Sequence, residues 1–393
     1  MMAAVTAAEQ GRSVILLEHE KFVGRKLRIT GKGRCNVCNN CDIKTFLTNI
    51  PKNPKFLYSA LNRFSPADTI AFFEGLGVPL KTERGNRVFP VSDNAHDIAK
   101  ALERELKRRN VQVLYENARS VLTENGQVCG VETDRGRIDC ESVLLATGGI
   151  SYPLTGSTGD GFLMAEALGH TVTPLRPSLV PLECHDDCCG EMQGFSLKNV
   201  TLRVFNGKNE RIFSELGEMM FTHFGVTGPL ILSASAHMRD FERDAYRLEI
   251  DLKPGLDEKK LDARILRDFD KYKNRDFANA LCDLAGRSMI PVLIRRSGIP
   301  EDTKVNSVTR EQRQKLLQLF KAFPLSVSGP RPVSEAIVTS GGVSVGEIDP
   351  RTMQSKLVPG LYFAGEILDV DGYTGGFNLQ IAWSTGRVAG MNM

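Results

Sequence analysis

Near the C-terminus, Glu366 follows a short apolar run, and Gly375–Gly376–Phe377–Asn378 comes shortly after it. A carboxylate accepts hydrogen bonds from hydroxyls. Paired glycines let a ligand approach the backbone closely. The N–H groups at a helix start, with the positive end of the helix dipole, favour an electron-rich ligand. The same glycine pair would also serve as a plain tight turn. A second group lies in Gly24–Asn36, GRKLRITGKGRCN, where Arg25, Lys26 and Arg34 are charged donors for a dianionic ligand, or simply the charges of an exposed basic loop.

Other residue types bear on proton and metal chemistry. His223, in FTHFGVTGP, and Tyr373, just before the glycine pair, are the candidate proton donors, and a phenol at 373 could protonate a developing enolate. A structural role is the commoner one for both side chains. Cys35, Cys38 and Cys41 form C-x-x-C-x-x-C, the spacing of three iron–sulfur ligands. A fourth thiolate would have to come from Cys184, Cys188 or Cys189, and free thiols are the expected state. No cysteine–histidine pair has zinc spacing to these three, so no metal is expected. The sequence has no Ser/His/Asp order, paired-carboxylate motif or Walker loop to support a hydrolase or kinase.

These residues must be carried by alternating strands and helices. Met1 to Gln10 reads as a small-residue helix ended by Gly11, and Val14–Leu17 as a strand ending in Glu18. That is the second half of a β-α-β nucleotide unit, with Glu18 placed for ribose hydroxyls. The strand and glycine turn that open such a unit are expected to be missing from this sequence. Residues 24–36 read as a loop, 56–83 as interrupted helix, and Asn86–Val91 as a strand. Ser92 is the expected cap of a helix running to Arg109. A hairpin joins Gln127–Val131 to Arg137–Asp139, and Val143–Ala146 delivers Thr147, Gly148 and Gly149. A helix follows Gly159–Gly161, and Leu361–Ala364 is a buried strand. The fold class is therefore α/β. Residues 1–185 and 333–393 form one discontinuous domain, and 186–332 an insert, strand-rich over 186–255 and helical over 256–332. Phe221, Phe224, Val226, Pro229, Leu230 and Ile231 in the insert suit an apolar substrate.

The 393 residues allow two or three domains with a sizeable core. With 50 basic and 47 acidic residues there is no electrostatic footprint for nucleic acid or an anionic membrane, so neither is expected as a partner. No apolar stretch is long enough to span a bilayer. Nine cysteines without a signal peptide point to reduced thiols in a cytoplasm.

The segment LYFAGEILDVDGYTGGFNLQIAWSTGR resembles the C-terminal signature of the family of FAD-dependent oxidoreductases that includes aminoacetone oxidase and a 3-oxo-Δ4,6 bile-acid reductase. The likeness extends to residues 24–36, 143–161 and 221–229. It implies a glutathione-reductase-like FAD domain. Glu366 would bond the ribityl and pyrophosphate region. The backbone of Gly376, Phe377, Asn378 and Leu379 would face the pyrimidine edge of the isoalloxazine. Arg25 and Lys26 would lie near the adenosine–phosphate half, and Arg34, Cys35 and Asn36 nearer the ring. Thr147, Gly148 and Gly149 match a crossover passing close to the cofactor, and Val121 the position whose backbone pairs with adenine. The implied activity is reduction, fed by NADH or NADPH, of a C=C bond conjugated to a ketone in a small apolar enone of bile-acid or steroid type. A flavin oxidase of amines or aminoketones and an FAD-holding tRNA-modification protein are the alternatives.

Overall fold

The computed structural model describes all 393 residues, Met1–Met393, and divides into two compact units. The first comprises Met1–Ser178 with Pro332–Met393, the second Leu179–Arg331. No helix is long and apolar enough to cross a membrane.

In the first unit the helix Met2–Glu9 leads into the strand Ile15–Leu17, which pairs in parallel with Gln112–Leu114. Val143–Leu145 pairs in parallel with Leu361–Phe363. The two parallel pairs are not hydrogen-bonded to one another. Leu361 and Phe363 are fully buried, as an apolar run in a covered sheet requires. Glu18, Ala146–Gly149 and Glu366 all follow the carboxyl ends of these strands, the side on which open α/β sheets bind ligands. An antiparallel meander runs through Ala118–Glu124, Gln127–Thr133 and Gly136–Asp139. A smaller sheet orders Cys38–Asn39, Arg87–Pro90 and Leu80–Glu83. The C-terminal helix, Phe377–Asn392, lies against the helix Met2–Glu9 so closely that a Cβ on Gly390 would come within 2.4 Å of the Ala3 carbonyl oxygen.

The second unit is a closed six-stranded barrel. Its strands follow the order Leu182–Cys184, Gly225–Thr227, Arg211–Phe221, Ser196–Phe205, Arg247–Asp251 and Phe323–Pro330, and the last pairs back to the first. Leu197, Val200, Leu202 and Val204 are buried along one strand, and the helices Glu258–Lys271, Ile290–Ser297 and Arg310–Lys321 add Leu261, Leu293 and Phe320 to the same core.

Several expectations need correction. Strands do dominate residues 186–255 of the insert and helices 256–322, but the strand Phe323–Pro330 lies in the second part and the unit begins at Leu179. Its helices interrupt a barrel that strands from both ends of the insert close, with Leu182 opposite Pro330. Segment 24–36 is not a plain loop, because the buried Leu27 anchors a helical turn at Arg25–Ile29 and a 3-10 turn follows at Thr30–Gly33. Leu80–Glu83 is a strand, held by Arg87–Pro90. Asn94, not Ser92, caps the helix Ala95–Arg108, its side-chain oxygen accepting from His96 N at 3.0 Å. The Ser92 hydroxyl instead donates to Asp97 at 2.6 Å.

Candidate functional site

The strand Leu361–Phe363 ends in a tight turn at Gly365–Ile367, where Gly365 adopts φ 77° and its N–H donates to Thr385 Oγ1 at 3.0 Å. This aims Glu366 at three other segments. Its Oε2 accepts from Lys26 Nζ at 2.8 Å. Its Oε1 accepts from Thr339 N at 2.9 Å and from the Ser151 hydroxyl at 3.1 Å. A carboxylate offers about four acceptor sites, so roughly one remains for a ligand hydroxyl. Gly149 is obligatory here, because a Cβ would lie 2.3 Å from Thr339 Oγ1 and 3.0 Å from Glu366 Oε1. Thr339 Oγ1 in turn accepts from Ile150 N at 2.9 Å and Ser151 N at 3.2 Å, which fixes the crossover after Gly148–Gly149 against the carboxylate.

The basic loop behaves differently from what its composition suggests. Lys26 Nζ also donates to Ser151 Oγ at 2.8 Å and to the Ser151 carbonyl at 3.3 Å, so all three ammonium hydrogens have internal acceptors. Lys26 braces Glu366 and is not a free phosphate donor. Arg25 pairs with Glu20. Arg34 pairs with Glu83 and Asp93, both at 2.5 Å, and stacks on Phe89 at 4.1 Å. Arg34 holds the Glu83 carboxyl below the usual range, and Lys81 and then Arg34 do the same for Asp93. Cys35 is fully buried with φ 59°, and burial pushes its thiol up to about 12. Its side chain therefore faces the core and offers a ligand nothing. Burial likewise pushes Cys38 up to about 12, and such thiols stay protonated at neutral pH.

Between Glu366 and the C-terminal helix the chain is tied residue by residue. Asp369, 3% exposed, pairs with Lys52 at 2.6 Å, and its carbonyl accepts from Asn53 at 2.8 Å. Asp371, 1% exposed, accepts from the hydroxyls of Ser178 at 3.1 Å and Ser340 at 3.0 Å. The Asn378 amide bonds both backbone groups of Gly372, at 2.8 and 2.7 Å. Tyr373 N donates to the Asn49 carbonyl at 3.0 Å. With its amide nitrogen assigned to the Cys38 and Val88 carbonyls, at 3.2 and 3.3 Å, Asn36 presents its oxygen to Gly376 N at 3.0 Å. Gly376, at φ 100°, opens the helix where a Cβ would sit 2.4 Å from the Cys38 carbonyl. Phe377 is a buried anchor, edge-on to Phe46 at 5.1 Å. Leu379 and Tyr373 are half-buried.

The structure thus brings Lys26, Gly149 and Glu366 together, and joins Asn36 to Gly376. The side chains of Arg25 and Arg34 are paired with carboxylates, those of Cys35 and Phe377 are packed in the core, and that of Asn378 holds Gly372, while the expected role of residues 376–379 belongs to their backbone. Glu18 stands at its strand end, its Oε1 accepting from Glu20 N at 2.9 Å. Thr147 is exposed and sits over Gly161, while Gly148 has φ 80°. Val121 lies opposite Val131 in the edge strand of the meander, and an edge strand leaves outward backbone groups unpaired. His223 is exposed in the inserted unit, edge-on to Phe224 at 5.0 Å. Of the apolar residues expected to meet a substrate, Phe221, Val226, Leu230 and Ile231 fill the barrel core instead. Ser151, Thr339 and Asn39 were not legible as site residues. Only their adjacency to Gly149, Gly341 and Cys38 hints at them.

The donor set fits FAD. Carboxylates stand at strand ends for ribose and ribityl hydroxyls, glycines admit close approach at 149 and 376, and a rigidly held helix start presents N–H groups. Fold and site together define an FAD-binding oxidoreductase of Rossmann type. The chain belongs to the family described as HI0933-like protein Rossmann domain, whose model matches residues 1–392. It is 29% identical over 394 residues to the 3-dehydro-bile acid delta(4,6)-reductase of Clostridium scindens, covering 99% of this chain and 95% of the relative. It is 30% identical over 388 residues to the ribosomal RNA dihydrouridine synthase of Escherichia coli, covering 98% and 93%. Among solved structures, an open flavocytochrome c3 fumarate reductase aligns over 100% of this chain and 75% of its own, at 17% identity and a TM-score of 0.45.

Proposed function

We propose that this protein is a cytoplasmic reductase that uses FAD, with NADH or NADPH as electron donor, to saturate a C=C bond conjugated to a carbonyl. The observation that carries this reading is the family match together with what the two relatives' names have in common. A 3-dehydro Δ4,6 steroid is a dienone, and the C5=C6 bond of uridine is conjugated to its C4 carbonyl. In both, hydride goes to a carbon conjugated to the carbonyl, transient negative charge builds on oxygen, and a proton completes the saturated product. FAD would supply the hydride. Glu366, braced by Lys26, Ser151 and Thr339, would accept from a ribityl hydroxyl. The N–H groups of Phe377–Leu379 would hold the electron-rich edge of the ring, donors fixed in place before reaction. Tyr373 or His223 would supply the proton.

The leading substrate is an apolar enone of bile-acid or steroid type. The Escherichia coli relative favours a second, uridine within RNA, read by the same chemistry. Anaerobic enzyme reduced with NADH or NADPH should be reoxidised by a 3-oxo-Δ4 steroid with release of the saturated ketone. Reoxidation by a uridine-rich rRNA fragment, with dihydrouridine formed, would select the second substrate. If oxygen alone reoxidises the enzyme and aminoacetone supports turnover, the protein is an oxidase.

A further inference from the structure

Two consecutive glycines at 375 and 376 give the chain its greatest freedom where a helix start must be aimed. Gly375 has φ 121° and Gly376 φ 100°, so neither orients itself through a side chain. The peptide unit between them is nevertheless held from both sides. The Gly375 carbonyl accepts from Asn39 Nδ2 at 3.0 Å, and Gly376 N donates to the Asn36 amide oxygen at 3.0 Å. A trans peptide is planar with its C=O and N–H antiparallel, so fixing both ends fixes the plane. That plane sets the first turn of Phe377–Asn392, because the Gly376 carbonyl already accepts from Gln380 N at 3.3 Å. Asn39 is itself immobile. It is 5% exposed, its strand pairs with Arg87–Val88, and its second amide hydrogen goes to the Gly85 carbonyl at 3.0 Å.

We infer that Asn39 is a positioning residue of the cofactor site: by pinning the Gly375–Gly376 peptide it aims the helix N–H groups at the bound flavin and so sets the flavin's reduction potential. The inference rests on the proposed placement of FAD at this helix start. Well-aimed N–H donors stabilise the more electron-rich reduced ring. Loosening them should therefore make the flavin harder to reduce as well as more weakly held. Asn36, on the other end of the same peptide, acts in the same sense.

The test compares wild-type holoenzyme with Asn39→Ala, Asn39→Ser and the exposed control Asn62→Ala. FAD dissociation constant, flavin midpoint potential and apoprotein melting temperature are measured for each. Both Asn39 variants should bind FAD at least about tenfold more weakly. The fraction that binds should show a potential lowered by about 30 mV, a tenfold change for a two-electron couple. Asn62→Ala should match wild type. If Asn39→Ala does not fold, Asn39→Ser, which keeps one donor, decides. Unchanged affinity and potential in a folded Asn39 variant, even with a lower melting temperature, would make Asn39 a brace of the fold and overturn the inference while leaving the FAD reading intact. Wild-type protein that takes up no FAD would overturn both.

Discussion

Segments 24–36 and 365–378 look like opposites. The first carries the conspicuous charge, yet Arg25, Lys26 and Arg34 each have a carboxylate of the same unit as partner. The second carries three carboxylates and no basic residue, and the amides of Asn36, Asn39 and Asn378 hold its backbone in place. The contrast shows that a ligand site is not found by counting charges. A charge whose hydrogen-bonding capacity is used up inside the fold, as in Lys26, has little left to offer, whereas Glu366 keeps about one acceptor site and a helix start with its N–H groups outward has its capacity intact.

Four tests probe this contrast, from the largest effect to the smallest. Gly376→Ala places a Cβ 2.4 Å from the Cys38 backbone and at a left-handed φ. It should destabilise the apoprotein by about 3 kcal/mol or more, read by denaturant unfolding. Wild-type stability in that variant would mean the helix start is not held as described. Glu366→Ala should weaken FAD binding about tenfold to hundredfold, the value of roughly 1.5–3 kcal/mol for a hydrogen bond to a charged group. Lys26→Met should also weaken it, but by less, if Lys26 acts only through Glu366. An effect larger than that of Glu366→Ala would restore Lys26 as a direct ligand of the cofactor.

A third test moves to another internally matched group. His170, 4% exposed, sits between Glu347 at 3.1 Å and the Ser355 hydroxyl at 2.9 Å. Burial lowers its pKa, against the opposing pull of Glu347. The folded state then binds its proton less readily than the unfolded state, whose histidine titrates near about 6.5. Stability from this residue is complete above that value and is lost as pH falls through it. Melting temperature should drop between pH 7.5 and 5.5, and drop less in His170→Gln; an identical drop would assign the loss to other groups. The smallest effect belongs to Arg34→Gln. Its pairs are screened by solvent, so stability should change little, and FAD affinity should change less than about twofold. A tenfold loss of FAD would return the charged loop to the site.

The strand Leu361–Phe363, the helix after Gly376 and the carboxylates at strand ends were legible because local pattern determines them: an apolar run, a glycine pair, a residue just past a strand. The cap at Asn94 was missed because Ser92 is an equally good capping residue, and only the tertiary course of the chain selects between them. Ser151, Thr339 and Asn39 gave no signal, since each acts on a backbone group far away in sequence. The closure of the barrel was hidden for the same reason. Leu182–Cys184 and Phe323–Pro330 are ordinary short strands until they meet.

The packing of Met2–Glu9 against Phe377–Asn392 has a consequence for how the molecule is made. At about 5–20 residues per second, a ribosome needs roughly 20–70 s after releasing the first helix before the last one emerges. The barrel, complete at Arg331, is made in the meantime, while the N-terminal helix waits for the helix whose Gly390 packs against Ala3 and Thr6. The helix start proposed to hold the flavin follows the whole barrel along the chain, so a site that needs it can take up FAD only after the second unit has been made.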